Sequence, residues 1–340
     1  MKQTLFMRQL SAYFETYLPE IRQNSHNTVS SYADSFALLF QFFHEKKGIG
    51  HHLIDYKHFT ASLFDDFLFW LGNERNYSEA SKRQRMSAIS SFLKYASRRD
   101  IAALSAYSNS LNIETPKIPQ AIFPFFTLPE IKILLRLPDP NKRLGSRDMV
   151  LLSLLYDTAA RAQEICDLRV GNIKFGTPTK VRLSGKNKKT REIPVSDAAS
   201  TLIRYYLKET GLSGTEHRDE FLFLSQKNEK MTPACIRNLT KKYVSLAKKA
   251  SPDLFNESQY SPHSFRHSKA VHMVESGIAL IYIRNFLGHT SVKTTERYAR
   301  VSQSAVTKAL TDRKIPNVAP EHRPQPDNSF QIPNFISSLR

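Results

Sequence analysis

At 340 residues the chain exceeds one typical domain, and 41% hydrophobic with 24% charged residues place it among folded globular proteins. Its 49 lysines and arginines against 31 aspartates and glutamates leave a formal charge of +18, which favours a polyanionic partner, nucleic acid first and an anionic membrane surface second. No apolar run approaches the ~20 residues of a membrane span, the opening MKQTLFMRQL lacks a signal-peptide pattern, and isolated Cys166 and Cys235 exclude a disulfide framework.

Residues 1–107 read as a small helical bundle. One apolar stripe runs through Phe6, Leu10, Tyr13, Phe14 and Tyr17. A second, after an Asn27-Thr28 cap, uses Val29, Tyr32, Phe36, Leu39, Phe40 and Phe43. Phe64, Phe67, Leu68 and Leu71 mark a third helix, and Met86, Ile89, Phe92, Leu93 and Ala96, after Ser78, a fourth. The fourth also carries Lys82, Arg83, Arg85, Lys94, Arg98 and Arg99. Such runs are usually solvated helix faces, but the charge of the whole chain puts phosphate contact ahead here. Periodicity fails over 108–126, where Pro116, Pro119 and Pro124 bias their neighbours away from helix, so this stretch is expected to be a linker, with Lys117 near a nucleic-acid backbone.

Thr127-Leu128-Pro129-Glu130 is a capping-box signature that opens a second domain. Helical patterns there surround one β-rich stretch. Lys180–Ser184 and Arg191–Val195 read as a hairpin with Lys186, Lys188 and Lys189 in its turn, and Phe221–Leu224 as a third strand. Helices are expected after Ser196 and after Thr232-Pro233, the latter with Ile236, Leu239, Tyr243 and Leu246 facing inward. Cys166 sits within a helix pattern and reads as a core thiol. Ser261-Pro262 starts another helix, with His263 and Arg266 on one face near its N-terminus, where free N–H groups and the dipole suit a phosphate. Gly277 ends it, Leu287-Gly288-His289 closes the next, and Tyr298 follows nine residues after His289. Beyond Tyr298, Val301–Arg313 could form one more helix. The proline-rich remainder reads as disordered, apart from an apolar end at Phe330, Ile332, Phe335, Ile336 and Leu339.

The series His263-x-x-Arg266, Leu287-Gly288-His289 and Tyr298 resembles the tyrosine recombinase, or phage-type integrase, family. Upstream, Thr158-Ala159-Ala160-Arg161 through Glu164 to Leu168 resembles that family's first arginine box, and Leu183–Pro194 its lysine-bearing hairpin. Any one box is a weak motif; four in order across residues 158–298 are specific. The family's usual Thr-Gly-Leu before the arginine is here Thr158-Ala159-Ala160, and Phe265 stands where leucine is common. Neither change removes a reacting group.

The resemblance implies a mostly α fold with a small antiparallel sheet. A helical, SAM-like core-binding domain (1–107), the linker and a mixed α/β catalytic domain (127–313) would clamp a DNA duplex. It implies Tyr298 as nucleophile, Arg161 and Arg266 clamping the phosphate, and His289 as a further donor. Lys186 becomes the general acid and His263 the base or hydrogen-bond partner of the tyrosine, with Glu164 and His267 supporting. Lys82, Arg83, Arg85, Lys117, Lys188 and Lys189 are the expected DNA contacts. The chemistry fits the residue types: planar guanidiniums match a phosphate's non-bridging oxygens, and a tyrosyl ester conserves bond energy, so neither metal nor other cofactor is expected.

By the same resemblance the partners are double-stranded DNA bearing specific sites, three further copies of the chain in a tetramer, and accessory or partner recombinases. No membrane is involved, and the setting is the bacterial cytoplasm at the nucleoid. The 314–340 tail is expected to dock on a neighbouring protomer. A recombinase moving a mobile genetic element leads. A Xer-like resolvase of chromosome dimers, a type IB topoisomerase and an inert DNA-binding protein are the alternatives.

Overall fold

The structure, a computed structural model, describes residues 3–113, 123–185, 189–257, 259–289 and 291–301. The chain forms two compact units, Met1–Ala121 and Ile122–Arg340. The calls on Lys117, Lys186, Lys188 and the 314–340 tail fall outside the described residues.

The first unit is helical. α1 (Leu5–Ala12) starts where the Thr4 hydroxyl accepts a hydrogen bond from the Met7 N–H, and runs on as a π-helical segment, Tyr13–Ile21, that contains Pro19. α2 (His26–Lys47) begins earlier than the expected Asn27-Thr28 cap. Ser25 holds the capping position, its carbonyl accepting from the N–H groups of Thr28 and Val29. Gly48 stops it at φ +63°, a left-handed conformation that costs glycine little. α3 (Ala61–Asn73) and α4 (Glu79–Ser97) are capped by Thr60 and Ser78.

These helices bury an aromatic core. Phe6 stacks on Phe59 at 5.0 Å and meets Phe92 edge-on at 5.3 Å, while the buried Tyr13 ring places its hydroxyl 2.8 Å from Ser91. Each such ring contributes roughly 1.5–3 kcal/mol. The helical pattern does not stop at residue 107: α5 (Ala102–Leu111) extends to Leu111. Its packed face is made of Ala103, Ala106 and Ser110, too small and too polar to register as an apolar stripe.

In the second unit α6 (Leu128–Arg136) opens with the expected capping box, Glu130 accepting from the Thr127 N–H at 2.7 Å. α7 (Arg143–Asp157) is the central helix. It buries Val150, Leu151, Leu152, Leu154 and Leu155 and packs against α9 (Asp197–Glu209) and α11 (Pro262–Glu275). The short α8 (Ala162–Cys166) leads into a three-stranded antiparallel sheet ordered β1 (Ile173–Lys174), β2 (Lys180–Ser184), β3 (Thr190–Pro194). Register pairs Val181 with Ile193 and Leu183 with Arg191. Cys166 is buried, as expected of a core thiol.

Three expectations are corrected. The third strand is Ile173–Lys174, whereas Phe221 and Leu224 make only isolated bridges to Arg169 and Lys230. β3 starts one residue early, at Thr190. On α10 (Pro233–Ala250), Leu246 is exposed and Ala247 buried, because the inward face continues from Tyr243 by four residues. α12 (Leu280–Leu287) and α13 (Lys293–Val301) complete the unit. Among the described residues no helix is long and apolar enough to cross a membrane.

Candidate active site

Tyr298 lies on α13, only 2% exposed, within a small apolar cluster of Phe123, Ala159, Ala270, Val271, Ile283 and Leu287. Its hydroxyl is hydrogen-bonded to His267 Nδ1 at 3.1 Å. Phe123 packs edge-on to the tyrosine at 5.1 Å and against His267 at 4.5 Å, and Arg297 covers the Phe123 ring at 4.5 Å. Burial raises the phenol's pKa, and the charges of Arg266, Arg297 and Arg161 oppose that rise.

Arg266, on the second turn of α11, is almost fully buried. Its guanidinium donates to the carbonyls of Ala159 at 2.7 Å and Leu287 at 2.6 Å. Ala159 occupies the left-handed region at φ +48°, and its carbonyl is the one that meets Arg266. That backbone costs an alanine about 1–2 kcal/mol. Burial first, then the charges of Arg161 and Arg191, bring Arg266 down to about 10, so it remains a cation at neutral pH.

Arg161 precedes α8 in extended conformation. Its N–H donates to Glu164 Oε2 at 2.8 Å and its Nη1 to Oε1 at 3.1 Å, leaving the side chain 40% exposed. Glu164 is buried beneath it. Burial alone would raise this carboxyl, but the hydrogen bonds and charge of Arg191, then those of Arg161, outweigh it and hold the group below its usual range. Arg191, which sequence reasoning passed over, donates from Nη1 and Nη2 to the two oxygens of Glu164 at 2.9 and 2.8 Å.

His289 follows Gly288, the left-handed residue at φ +67° that ends α12. Its ring lies nearly parallel to Tyr298, centroids 6.4 Å apart, and its Nδ1 is 3.1 Å from the Thr295 hydroxyl. Thr295, expected to cap or shape the tyrosine helix, is therefore fully buried as the partner of His289. Burial, then Arg266 and Arg161, push the imidazole down to about 4, so it is neutral, with Nε2 left over from the threonine contact.

The contact with the tyrosine hydroxyl expected of His263 is made by His267. His263 is exposed on the first turn of α11, its pKa lowered by the protein packed against it and by Arg266 and Arg161. His267, read from the sequence as a supporting neighbour, is the residue on the tyrosine hydroxyl. One helical turn brings His267 inward to the face that meets α13, while His263 stays at the rim.

The expected DNA contacts are placed unevenly. Lys189 is exposed in the hairpin turn and its carbonyl accepts from Gly185. Lys82 is ion-paired with Glu79 and is mostly covered. Arg85 turns inward, toward the Ser31 carbonyl at 3.3 Å and the Ser35 hydroxyl at 3.4 Å, over the Tyr77 ring. Arg83 is half-buried on the same helix, whereas Lys94, Arg98 and Arg99 are exposed.

Two family models match the chain. The phage integrase family covers residues 124–305, and the phage integrase N-terminal SAM-like domain covers 12–100. Among relatives, y4rC of Sinorhizobium fredii, provisionally an integrase/recombinase, is 28% identical over 331 residues, 97% of each chain. Tyrosine recombinase XerC of Myxococcus xanthus is 31% identical over 234 residues, 67% of this chain and 73% of XerC. Among solved structures, the Tn1549 transposon integrase with transposon right end DNA superposes at a TM-score of 0.68 with 14% identity, covering 88% of this chain and 98% of that one. The XerH site-specific recombinase on its difH substrate superposes at 0.66 with 18% identity, over 88% and 84%. At those identities the structures speak for a shared fold.

Proposed function

Because the chain belongs to the phage integrase family, we propose that its tyrosine chemistry is carried by Tyr298 and acts on duplex DNA at specific sites. It is a tyrosine-type site-specific recombinase. The observation that supports this assignment of residues is the Tyr298 hydroxyl held 3.1 Å from His267 Nδ1, beside Arg161, Arg266 and His289.

The Tyr298 oxygen attacks phosphorus, the bond from phosphorus to the 5′-oxygen breaks, and a 3′-phosphotyrosyl ester forms while the 5′-oxygen takes up a proton. Rejoining reverses each step, so one bond is exchanged for another of similar energy. His267, neutral, holds the tyrosine hydroxyl and takes its proton only as the phenol oxygen bonds to phosphorus and becomes acidic, and His263 stands at the rim toward the phosphate. Arg161 and Arg266 stabilise charge on the two non-bridging oxygens, His289 donates from Nε2, and Lys186 protonates the leaving oxygen. The first unit grips the duplex, chiefly through Lys94, Arg98 and Arg99 along with Arg83. Four protomers pair two duplexes through a Holliday junction in the bacterial cytoplasm. Accessory or partner recombinases set direction.

Integration or excision of a mobile element is the leading role. The Xer-like alternative, resolution of chromosome dimers, is the second, favoured by the 31% identity to tyrosine recombinase XerC. The deciding experiment uses duplexes tiled from DNA flanking the coding sequence, selected by gel shift and nicked beside the crossover. A denaturation-resistant adduct with wild type but not Tyr298→Phe is expected. An adduct in both would move the nucleophile elsewhere, and tight binding with no adduct in either would leave a binding protein. Excised circles from paired element ends, rather than monomers from plasmid dimers, would separate the two roles.

A further inference from the structure

Arg191 lies in the hairpin motif, where the sequence reading gave it no role, yet it touches two of the other motifs. It is the second residue of β3, at the foot of the lysine-bearing hairpin. Its guanidinium occupies both oxygens of Glu164, the carboxylate that also fixes Arg161. Its Cδ and Nη1 lie 3.5 and 3.6 Å from where a Cβ on Gly288 would stand, so the turn that delivers His289 rests on it. The side chain is 13% exposed against 40% for Arg161.

Glu164 is one anion shared by two arginines. With Arg191 in bidentate contact, Arg161 is left a single side-chain bond to the carboxylate, through Nη1. Two planar forks compete for one carboxylate, and the one that holds both oxygens releases the other. Resting on the recombinase reading above, we infer that Arg191 is a positioning residue: it satisfies Glu164 so that Arg161 stays turned toward the scissile phosphate. Without it, Arg161 collapses onto Glu164 in bidentate contact and its charge is neutralised.

The test is single-turnover adduct formation by the full chain on the nicked duplex selected above, with wild type, Arg191→Lys, Arg191→Ala and Arg161→Lys. Each is run on an ordinary phosphodiester, on a methylphosphonate that removes the negative oxygen, and on a 5′-bridging phosphorothiolate whose leaving group needs no proton. Arg191→Lys is expected to slow the phosphodiester reaction roughly 10–100-fold, with DNA binding and melting temperature retained. Most of that loss should disappear on the methylphosphonate, as for Arg161→Lys, and persist on the phosphorothiolate.

Rescue by the phosphorothiolate would overturn the inference, since Arg191 would then act through the hairpin lysine. So would an equal loss on all three substrates, the mark of a mere strut. Should Arg191→Ala fail to fold, Glu164→Gln provides the check: by freeing Arg161 from its anion it should partly restore cleavage to Arg191→Lys, and no restoration counts against the proposal. No adduct with wild type on any substrate would instead sink the recombinase chemistry itself.

Discussion

His263, His267 and His272 lie on one helix, four and five residues apart, yet face three different surroundings. His263 is at the rim. His267 is pressed between Phe123 and Tyr298, and burial, then the charge of Arg297, pushes it down to about 3. His272 is buried with its Nδ1 2.9 Å from the Tyr156 hydroxyl, and burial, then Lys269, lowers it to about 4. In an unfolded chain both return toward ~6.5. Between about pH 6.5 and 4 the unfolded state therefore binds more protons than the folded one, so stability is complete above that window and falls as pH drops through it. Each histidine should remove about 2 kcal/mol by pH 5. Urea titrations followed by far-UV circular dichroism at pH 7.5, 6 and 5 measure this, and His272→Gln should flatten the slope; identical slopes in both proteins would refute the account. Motif spacing picked out Arg161, Arg266, His289 and Tyr298, and the fold brings these four side chains together. His267 was given only a supporting part and Arg191 none, although each carried a signal. His267 is four residues after His263, and Arg191 alternates with the core residue Ile193 on the inward side of a strand, where a charge needs a partner.

At the scale of elements, α6 is tied to a distant loop by one side chain. Glu130 takes the Thr127 N–H on Oε2, and on Oε1 it accepts from the Phe255 N–H at 2.5 Å and the Tyr260 hydroxyl at 3.4 Å. The same carboxyl therefore caps the helix that opens the second unit and pins the segment leading into α11. Glu130→Ala removes a cap worth about 1 kcal/mol and leaves the buried Phe255 N–H without an acceptor, for a total near 3 kcal/mol. Glu130→Gln keeps one acceptor and should cost less. A lower urea midpoint at unchanged m-value checks it, and a loss below about 0.5 kcal/mol for alanine would mean the loop finds other acceptors. Elements announced by a cap and a long stripe, such as α4, α6 and α10, were readable because local and tertiary preferences agree there. The end of α5 was not, since its contacts run through alanines. β1 is two residues long, too short to show alternation, and Phe221–Leu224 looked like a strand only because its apolar residues are buried for tertiary reasons.

Taken as a whole the molecule carries far more positive charge than its internal pairing consumes. Arg147 is matched by Asp148, Lys174 and Arg182 share Glu192, Lys230 meets Asp167, and Lys46, Lys47 and Arg75 pair with acids of the first unit. The Arg147–Asp148 pair is buried; the others, at the surface, add only ~0–1 kcal/mol each and shape the surface rather than hold the fold. The remaining +18 is a field awaiting counter-charge. If it is spent on a DNA backbone, each neutralised phosphate releases counterions, and the logarithm of the association constant should fall linearly with the logarithm of salt at a slope near −0.9 per contact. With about six to ten contacts, raising salt from 50 to 200 mM should weaken binding about 10³–10⁵-fold. Fluorescence anisotropy on the selected duplex measures the slope. Substituting Lys94 or Arg98 by alanine should make it shallower by about one unit each, whereas Lys82→Ala, already paired with Glu79, should change it little. A slope near zero would mean that the charge serves something other than DNA. A full slope untouched by Lys94→Ala and Arg98→Ala would move the grip off α4, leaving the basic residues of the second unit to hold the duplex.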